Sequence, residues 1–249
     1  MSSNAVPLYR LLESAADACG DRPALVYRRE PLSFEQVREQ MNRLASSLQQ
    51  ALAVDPGHRV AVHLPNMPQF LIAAHAVWKL GAVLVPLDPA ADATQIAQQL
   101  TAADVRVIIT LSAQYDTVMA AQPQTPLRHV LVAFVKDYMP FGAKLRYTLF
   151  REKKEGQALN LREAPRFVYP YTNMVLHNPR PDPVDVGPDD PALLLNDRVQ
   201  SHRDLLAAIG PVQVASSPQT LAATAPFWEL DGLVAALTAL YGGSTLLLA

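Results

Sequence analysis

The chain has 249 residues, of which 50% are hydrophobic and 18% are charged, a composition typical of globular proteins and not of disordered or fibrous ones. Its 21 basic and 23 acidic residues give a net charge of −2, which leaves no cationic excess for a phosphate backbone, so we expect no nucleic-acid binding. The single cysteine, Cys19, excludes a disulfide framework and a thiolate metal site. The N-terminus lacks a secretory signal pattern, and we expect a cytoplasmic protein.

Strand and helix signals alternate through the first half of the chain. Ser33 and Gln36 have the spacing of a capping box and open a helix that continues to residue 52. Asn66 is predicted to cap the next helix, with Pro68 in its first turn. Apolar runs predict strands at 24–27, 59–64, 82–87, 105–110 and 130–135.

Strands separated by helices favour parallel pairing, because a parallel neighbour needs a crossover connection. The apolar residues in these strands are nearly continuous, which indicates a sheet that is covered on both faces. We therefore predict an α/β fold of layered, mostly parallel sheets flanked by helices, formed by one domain over 1–249.

The second half is less regular at first. Residues 165–191 contain seven prolines and are predicted to form an extended crossing loop without a ladder strand. Regular structure is expected to resume with a strand at 192–195 and a helix capped by Ser201, with Asp204 in the capping-box position. A strand at 212–215, a helix at 227–241 and a strand at 245–248 follow. The 18 uncharged residues from 232 onward fit this helix, turn and buried strand better than a membrane span.

Several segments resemble a known family. Residues 33–52, 63–89 (HLPNMPQFLIAAHAVWKLGAVLVPLDP) and 104–110 are similar to the N-terminal part of acyl-CoA synthetases of the adenylate-forming superfamily. Residues 136–179 look like the long-chain fatty acid ligases, and 226–248 look like a later stretch of the family. The resemblance implies the fold of the N-terminal subdomain of these enzymes. The family's activity is ATP-dependent ligation of a fatty acid to coenzyme A through an acyl-adenylate.

The phosphate loop that the resemblance implies is missing. In the family it is rich in Ser, Thr and Gly, and it joins a strand like 192–195 to the helix start at Ser201. Between Leu195 and Ser201 only residues 196–200 (NDRVQ) remain, without Gly, Ser, Thr or Lys, and Asp197 would repel a triphosphate. We therefore expect no catalytic residue and no nucleotide cofactor, and no histidine motif indicates a metal.

A remnant of the acyl pocket is expected at Phe227, Trp228, Glu229 and Gly232, where the family has an aromatic residue and a histidine before the glycine. Glu229 takes the histidine position and places an anion where a carboxylate substrate would lie, which disfavours that substrate's usual pose. His202, which follows the Ser201 cap, is interpreted as a surface or capping residue.

Two kinds of partner are expected. The chain ends about halfway through the family's large domain, which would leave apolar surface uncovered around the strand 245–248, and a second copy or a full-length acyl-CoA ligase would cover it. The basic and aromatic segment around 138–154 could contact a membrane peripherally through Tyr138, Phe141, Lys144, Arg146 and Phe150. Alternatively, its aromatic residues pack on the domain and its charges are solvated.

The leading hypothesis is a degenerate acyl-CoA synthetase-like protein, a pseudoenzyme that acts by binding a partner or a fatty acyl chain. One alternative is a fragment of a split long-chain fatty acid–CoA ligase that another chain completes. A relic fold without any ligand is the third.

Overall fold

The computed structural model describes residues 6–176, 180–214 and 219–248. The strands in this part are β1 (Pro23–Tyr27), β2 (Glu30–Ser33), β3 (Arg59–His63), β4 (Val83–Pro86), β5 (Val107–Leu111), β6 (His129–Ala133), β7 (Val168–Pro170), β8 (Pro191–Leu195), β9 (Arg198–Ser201), β10 (Thr220–Ala222) and β11 (Thr245–Leu248). The α-helices are α1 (Leu8–Cys19), α2 (Phe34–Gln50), α3 (Pro68–Lys79), α4 (Ala93–Ala102), α5 (Tyr115–Ala121), α6 (Phe141–Phe150), α7 (Tyr171–Met174), α8 (His202–Ile209) and α9 (Leu230–Tyr241).

The strands form two sheets. The larger sheet has the order β7-β6-β5-β3-β4-β8-β9, and the smaller one has the order β10-β11-β1-β2. Neighbouring strands are parallel except in the hairpins β1–β2 and β8–β9. The predicted α/β fold of mostly parallel sheets flanked by helices is confirmed.

Both faces of the larger sheet are covered, because successive side chains along a strand point to opposite faces. Ala61 and Ile108 belong to one hydrophobic cluster, which includes Ile96 and Leu100 of α4. Their neighbours along the strands, such as Val60, Val62 and Ile109, belong to a larger cluster that also holds the apolar faces of α1, α2, α3 and α9. The sheet is therefore the middle layer of the molecule.

Helix α3 lies at the centre of the larger cluster, and its residues are buried from Pro68 to Trp78. Trp78 Nε1 donates a hydrogen bond to the Ala192 carbonyl of β8 at 2.7 Å. The Tyr241 hydroxyl of α9 lies 2.9 Å from His75 Nε2. Through these contacts α3 connects the larger sheet to the helix that leads into the smaller sheet.

The predicted helix starts are only partly correct. Ser33 with Gln36, and Ser201 with Asp204, form capping boxes as predicted. The predicted cap at Asn66 is wrong, because Met67 occupies the N-cap position of α3 and the Asn66 side chain bonds elsewhere. Pro68 is the first helical residue, where a missing N–H costs nothing.

The proline-rich segment 165–191 contains more structure than predicted. Strand β7 pairs in parallel with β6, and α7 follows it directly. A proline is tolerated in β7 because that strand lies at the edge of the sheet, where one side of the backbone has no partner. Residues 180–190 are without helix or strand, as predicted, and residues 177–179 lie outside the described part.

The prediction of a strand at 212–215 is wrong. Residues 212–214 form no strand, and Ala215 lies outside the described part; β10 at 220–222 is the strand that forms instead. Strand β11 is not an uncovered edge, because it pairs with β10 on one side and with β1 on the other. Leu246 and Leu248 are buried, and only Leu247, at 41% exposure, faces solvent.

Candidate functional site

In α/β proteins, ligands bind outside the carboxyl ends of parallel strands, so this edge of the larger sheet is the candidate site. A cleft of about 470 Å³ lies there, between the ends of β4 and β8. Its walls are residues 85–87, the α4 and post-α4 residues 98, 99, 102 and 103, and residues 194–197. Among these described residues Asp197 carries the only charge, so the cleft offers an anion no cationic partner.

The connection from β8 to β9 consists of only two residues. Asn196 and Asp197 both have left-handed backbone angles, with φ of 51° and 59°. A two-residue turn of this kind matches the right-handed twist of a hairpin, and Asn and Asp adopt these angles more readily than most residues do. Residues 198–200 were predicted to belong to the connection between the strand and the helix. In the structure they belong to strand β9, which runs back along β8.

The two hairpins in the described ranges are built alike. In each, a proline pairs with the serine that caps the following helix: Pro23 with Ser33 and Pro191 with Ser201. In both, the register shifts after that first pair. The β1–β2 turn also has two residues, Arg28 and Arg29, with positive φ. The segment β8–β9–α8 therefore repeats the segment β1–β2–α2.

Polar side chains at the carboxyl edge are engaged in holding the fold. His63, at the end of β3, lies 3.0 Å from Thr110 Oγ1 through Nδ1 and 3.1 Å from the Asp88 carbonyl through Nε2. Because a carbonyl only accepts, Nε2 carries the proton and Nδ1 accepts from the threonine hydroxyl. Burial lowers the pKa of His63 to about 4, so the ring is neutral at neutral pH.

Ser112, directly after β5, and Asp88, two residues after β4, are also engaged. The Ser112 hydroxyl donates to Gln157 Oε1 at 2.5 Å. The Asp88 carboxylate accepts from the backbone N–H of Ala90 at 2.8 Å. Neither side chain is oriented as a free nucleophile or base towards the cleft.

Asn66 has a role that the sequence did not reveal. Its side-chain Nδ2 donates to the carbonyls of Ala223 and Ala225 at 3.2 and 2.8 Å, and its Oδ1 accepts from the N–H of Phe227 at 2.9 Å. These bonds fix residues 223–227 beside the end of β3. A polar residue two positions after the predicted strand 59–64 was the available signal, but its partners lie about 160 positions away.

The residues expected to form the acyl pocket lie around the start of α9, where Phe227 and Gly232 are tightly packed. Phe227 is buried, and its ring centroid lies 5.5 Å from that of Phe70. A Cβ on Gly232 would lie 2.0 Å from the Pro226 carbonyl oxygen, so the backbone leaves no space there. Trp228 is half-buried, and Glu229 is exposed at the N-cap of α9. None of the four lines the cleft beside Asp197.

The residues expected to contact lipid divide into two groups. Phe141, Lys144, Arg146 and Phe150 are exposed on α6. Tyr138 lies before this helix, is half-buried, and donates its hydroxyl proton to Gln40 Oε1 at 2.5 Å. The structure therefore places Tyr138 away from the exposed face of α6.

The interpretation of His202 as a surface residue is wrong. The side chain is buried against Trp78, with ring centroids 6.3 Å apart, and its Nδ1 accepts from the N–H of Leu8 at 3.3 Å. In the described ranges, no three His, Cys, Asp or Glu side chains converge in a way that could hold a metal ion. Within the same ranges, no helix has the length and apolarity needed to cross a membrane.

Comparison with known families identifies the chain. The model of the AMP-binding enzyme family matches residues 12–195, from within α1 to the end of β8. The chain belongs to the AMP-binding enzyme family. This AMP-binding family member is 31% identical over 147 residues to a long-chain-fatty-acid–CoA ligase of Bacillus subtilis and 29% identical over 132 residues to that of Salmonella typhimurium. The matched regions are 59% and 53% of this chain but only 26% and 24% of those relatives.

Solved structures agree on the fold. The model superposes on a coronafacic acid ligase from Pectobacterium brasiliense with a TM-score of 0.79 at 16% identity, covering 98% of this chain and 45% of that one. A long-chain-fatty-acid–CoA ligase from Archaeoglobus fulgidus gives a TM-score of 0.76 at 16% identity, over 100% of this chain and 47% of that one. The chain therefore spans about a quarter of the curated relatives and about half of these solved chains.

Proposed function

We propose that this AMP-binding family member is a pseudoenzyme that neither binds ATP nor forms an acyl-adenylate by itself, and that it acts by binding a fatty acyl chain or a protein partner. The observation that carries the proposal is the two-residue turn between β8 and β9. The resemblance to acyl-CoA ligases puts a phosphate loop at this position.

A triphosphate is held by several backbone N–H groups directed at it and by a cation. A two-residue turn closes the hairpin and leaves no length of chain to surround an anion. Asp197 also adds a negative charge at the cleft, and like charges at close range repel. The short turn and the charge of Asp197 each oppose nucleotide binding.

Isothermal titration calorimetry with MgATP and, separately, with palmitate tests the proposal. We expect no heat of binding from MgATP, while the full-length Bacillus subtilis ligase measured in parallel serves as the positive control. Binding of ATP to the present chain with a micromolar dissociation constant would overturn the proposal. Palmitate binding without ATP binding supports an acyl-binding role.

The variant Asp197→Lys is a matched control for charge. If the missing loop is decisive, replacing the anion with a cation does not restore ATP binding, because the backbone donors are still absent. A gain of ATP binding in this variant would show that charge, and not loop length, is the defect.

A split ligase is the second candidate, and the match of residues 12–195 to the AMP-binding enzyme family supports it. Another chain would then have to supply the phosphate loop next to a hairpin that is already closed. Mixing the protein with a chain that carries the remaining part of such a ligase, and measuring ATP-dependent acyl-CoA formation, tests this candidate. Activity in the mixture alone favours the split enzyme over the pseudoenzyme.

A protein partner is part of the proposal as well. Leu221 and Leu247, on the smaller sheet, are 40% and 41% exposed, and a second copy or a full-length ligase would bury them. Multi-angle light scattering over a range of concentrations tests self-association. A mass that remains that of one chain at high concentration excludes the second copy.

A further inference from the structure

Helix α6 has an apolar side that nothing in the described structure covers. Phe141 is 83% exposed, Leu145 is 51% exposed and Leu149 is 66% exposed, and they recur every four residues along one side of the helix. Phe150 adds a second exposed aromatic ring at the helix end. Among the α6 residues only Tyr147 is buried, so this one side chain anchors the helix on the fold.

Cationic side chains flank this apolar side, since Lys144 and Arg146 are both exposed on α6. On the side of the helix that faces the β1–β2 turn, a cleft of about 340 Å³ is lined by Arg28, Arg29, Arg146, Arg151 and one carboxylate, Glu30. Arg28 and Arg151 also form ion pairs with Glu155, so Arg29 and Arg146 are the cations of this cleft without that partner. The Arg28 guanidinium lies 5.5 Å from the centre of the Tyr147 ring, which fixes the turn against the helix. Residues 136–156 hold six basic and three acidic residues in a chain whose net charge is −2. The positive charge is therefore local to this surface.

The β1–β2 turn has an unfavourable sequence for its shape. Arg28 and Arg29 adopt φ of 50° and 74°, where Asn and Gly are the usual residues. Strained backbone conformations of this kind concentrate at functional positions. The two arginines at the tip of this tight turn place positive charge beside the helix that carries the exposed aromatic residues.

We propose that α6 and the β1–β2 turn form a docking surface for a lipid bilayer that contains anionic phospholipids. The apolar side chains protrude from a helix and do not line a groove, so they can enter the acyl region while the arginines and Lys144 contact the headgroups. Amphipathic helices bind membranes in this way, and each cation near an anionic surface adds to the affinity. The proposal is independent of whether the protein binds ATP.

Flotation with phosphatidylcholine vesicles, with and without phosphatidylglycerol, tests the docking surface. We expect binding to the anionic vesicles only, and weaker binding as the salt concentration rises. The double variant Lys144→Gln with Arg146→Gln should lower the affinity by roughly 30-fold, since each cation contributes a factor of about five. The triple variant Phe141→Ser, Leu145→Ser and Leu149→Ser should abolish binding.

Matched controls lie on other surfaces. Arg166→Gln with Arg198→Gln removes two exposed cations, and Val199→Ser with Leu221→Ser removes two exposed apolar groups; neither change should affect flotation. Unchanged circular dichroism and thermal unfolding show that each variant folds. Equal binding to neutral vesicles, no binding to anionic vesicles, or equal losses in the control variants would overturn the proposal. So would self-association of the protein without lipid that the triple variant abolishes, which would make this face an interface between copies.

Discussion

Gly232 is the glycine at which an added Cβ would meet the nearest atom, the Pro226 carbonyl oxygen at 2.0 Å, among the glycines of the described ranges. Its position in the first turn of α9 brings it against the backbone of residues 225 and 226, and Asn66 holds that same segment from the other side. A side chain at position 232 would displace the Pro226 carbonyl. The displacement would pull the neighbouring Phe227 out of its contact with Phe70.

We expect Gly232→Ala to lower the free energy of unfolding by about 1–3 kcal/mol, the usual cost of forcing atoms into a packed interior. Urea unfolding measures the change. Gly142→Ala is the matched control, because nothing lies within 4 Å of a Cβ there and the residue is helical. Alanine favours a helix over glycine, so the control should be neutral or stabilising by up to ~1 kcal/mol. Equal effects at both positions would contradict the interpretation.

The two hairpins differ in how well their turn residues fit the same backbone shape. The β8–β9 turn has Asn and Asp at its left-handed positions, whereas the β1–β2 turn has two arginines there. A left-handed conformation costs about 1–2 kcal/mol for an ordinary residue and much less for Asn. A residue that adopts positive φ more easily should therefore stabilise the β1–β2 hairpin.

Arg29→Gly should raise the free energy of unfolding by about 0.5–1 kcal/mol, because glycine adopts positive φ without steric cost but loses more chain entropy. Asn196→Gly is the comparison variant and should change the stability by less than ~0.5 kcal/mol. Thermal and urea unfolding measure both. A loss of stability in Arg29→Gly would show that the Arg29 side chain makes a stabilising contact.

Element prediction succeeded where the signal was local. The Ser33 and Ser201 capping boxes each involve residues three positions apart, and the apolar runs that became β3, β5 and β6 are short and unbroken. Strand β7 was missed because its proline is acceptable only at a sheet edge, and edges depend on the whole topology. Strand β10 is three exposed residues, and only its pairing with β11 makes it a strand.

At the candidate site, too, local features could be predicted from the sequence and contacts between distant residues could not. The short connection between Leu195 and Ser201 is visible in the sequence because it is a matter of chain length between two recognisable elements. The role of Asn66 and the burial of His202 were not visible, since their hydrogen-bond partners lie 157 to 194 positions away along the chain. Tyr138 belonged to an aromatic and basic segment in sequence, but its contact is with Gln40, 98 positions earlier.

Three buried histidines in the described part of the chain connect the stability of the protein to pH. Burial lowers the pKa of His63, His75 and His202 to about 4 in each case. The unfolded chain, with histidine pKa values near 6.5, therefore binds protons before the folded chain does as the pH falls. Their contribution to stability is full above about pH 6.5 and is lost towards pH 4.

The pKa shift of Asp137 has the opposite effect on the pH dependence of stability. Burial raises its pKa to about 6, so the folded state takes up this proton first, and between pH 6 and 4 it offsets part of the loss. Because each pKa unit corresponds to about 1.4 kcal/mol, we expect a net loss of several kcal/mol by pH 4. Urea unfolding at a series of pH values measures it.

The variant His202→Gln identifies the source of this pH dependence. A glutamine does not titrate, yet its side-chain oxygen can still accept a hydrogen bond from the Leu8 N–H. The loss of stability between pH 6.5 and 4 should then be smaller by more than one third, because the three histidines contribute about equally and Asp137 offsets part of their sum. An unchanged slope would mean that His202 does not contribute.

The repeated strand, turn, strand and capped-helix segment has a consequence for how such a protein can change. Because β8 and β9 close with the same register as β1 and β2, the second hairpin is complete without any inserted loop. A related protein with a loop at this position could therefore lose it in one deletion and still fold. Conversely, a glycine-rich loop could be inserted between Asn196 and Asp197. These two residues are exposed, so the insertion would not disturb the core. Nucleotide binding by the resulting variant could then be measured without other changes to the protein.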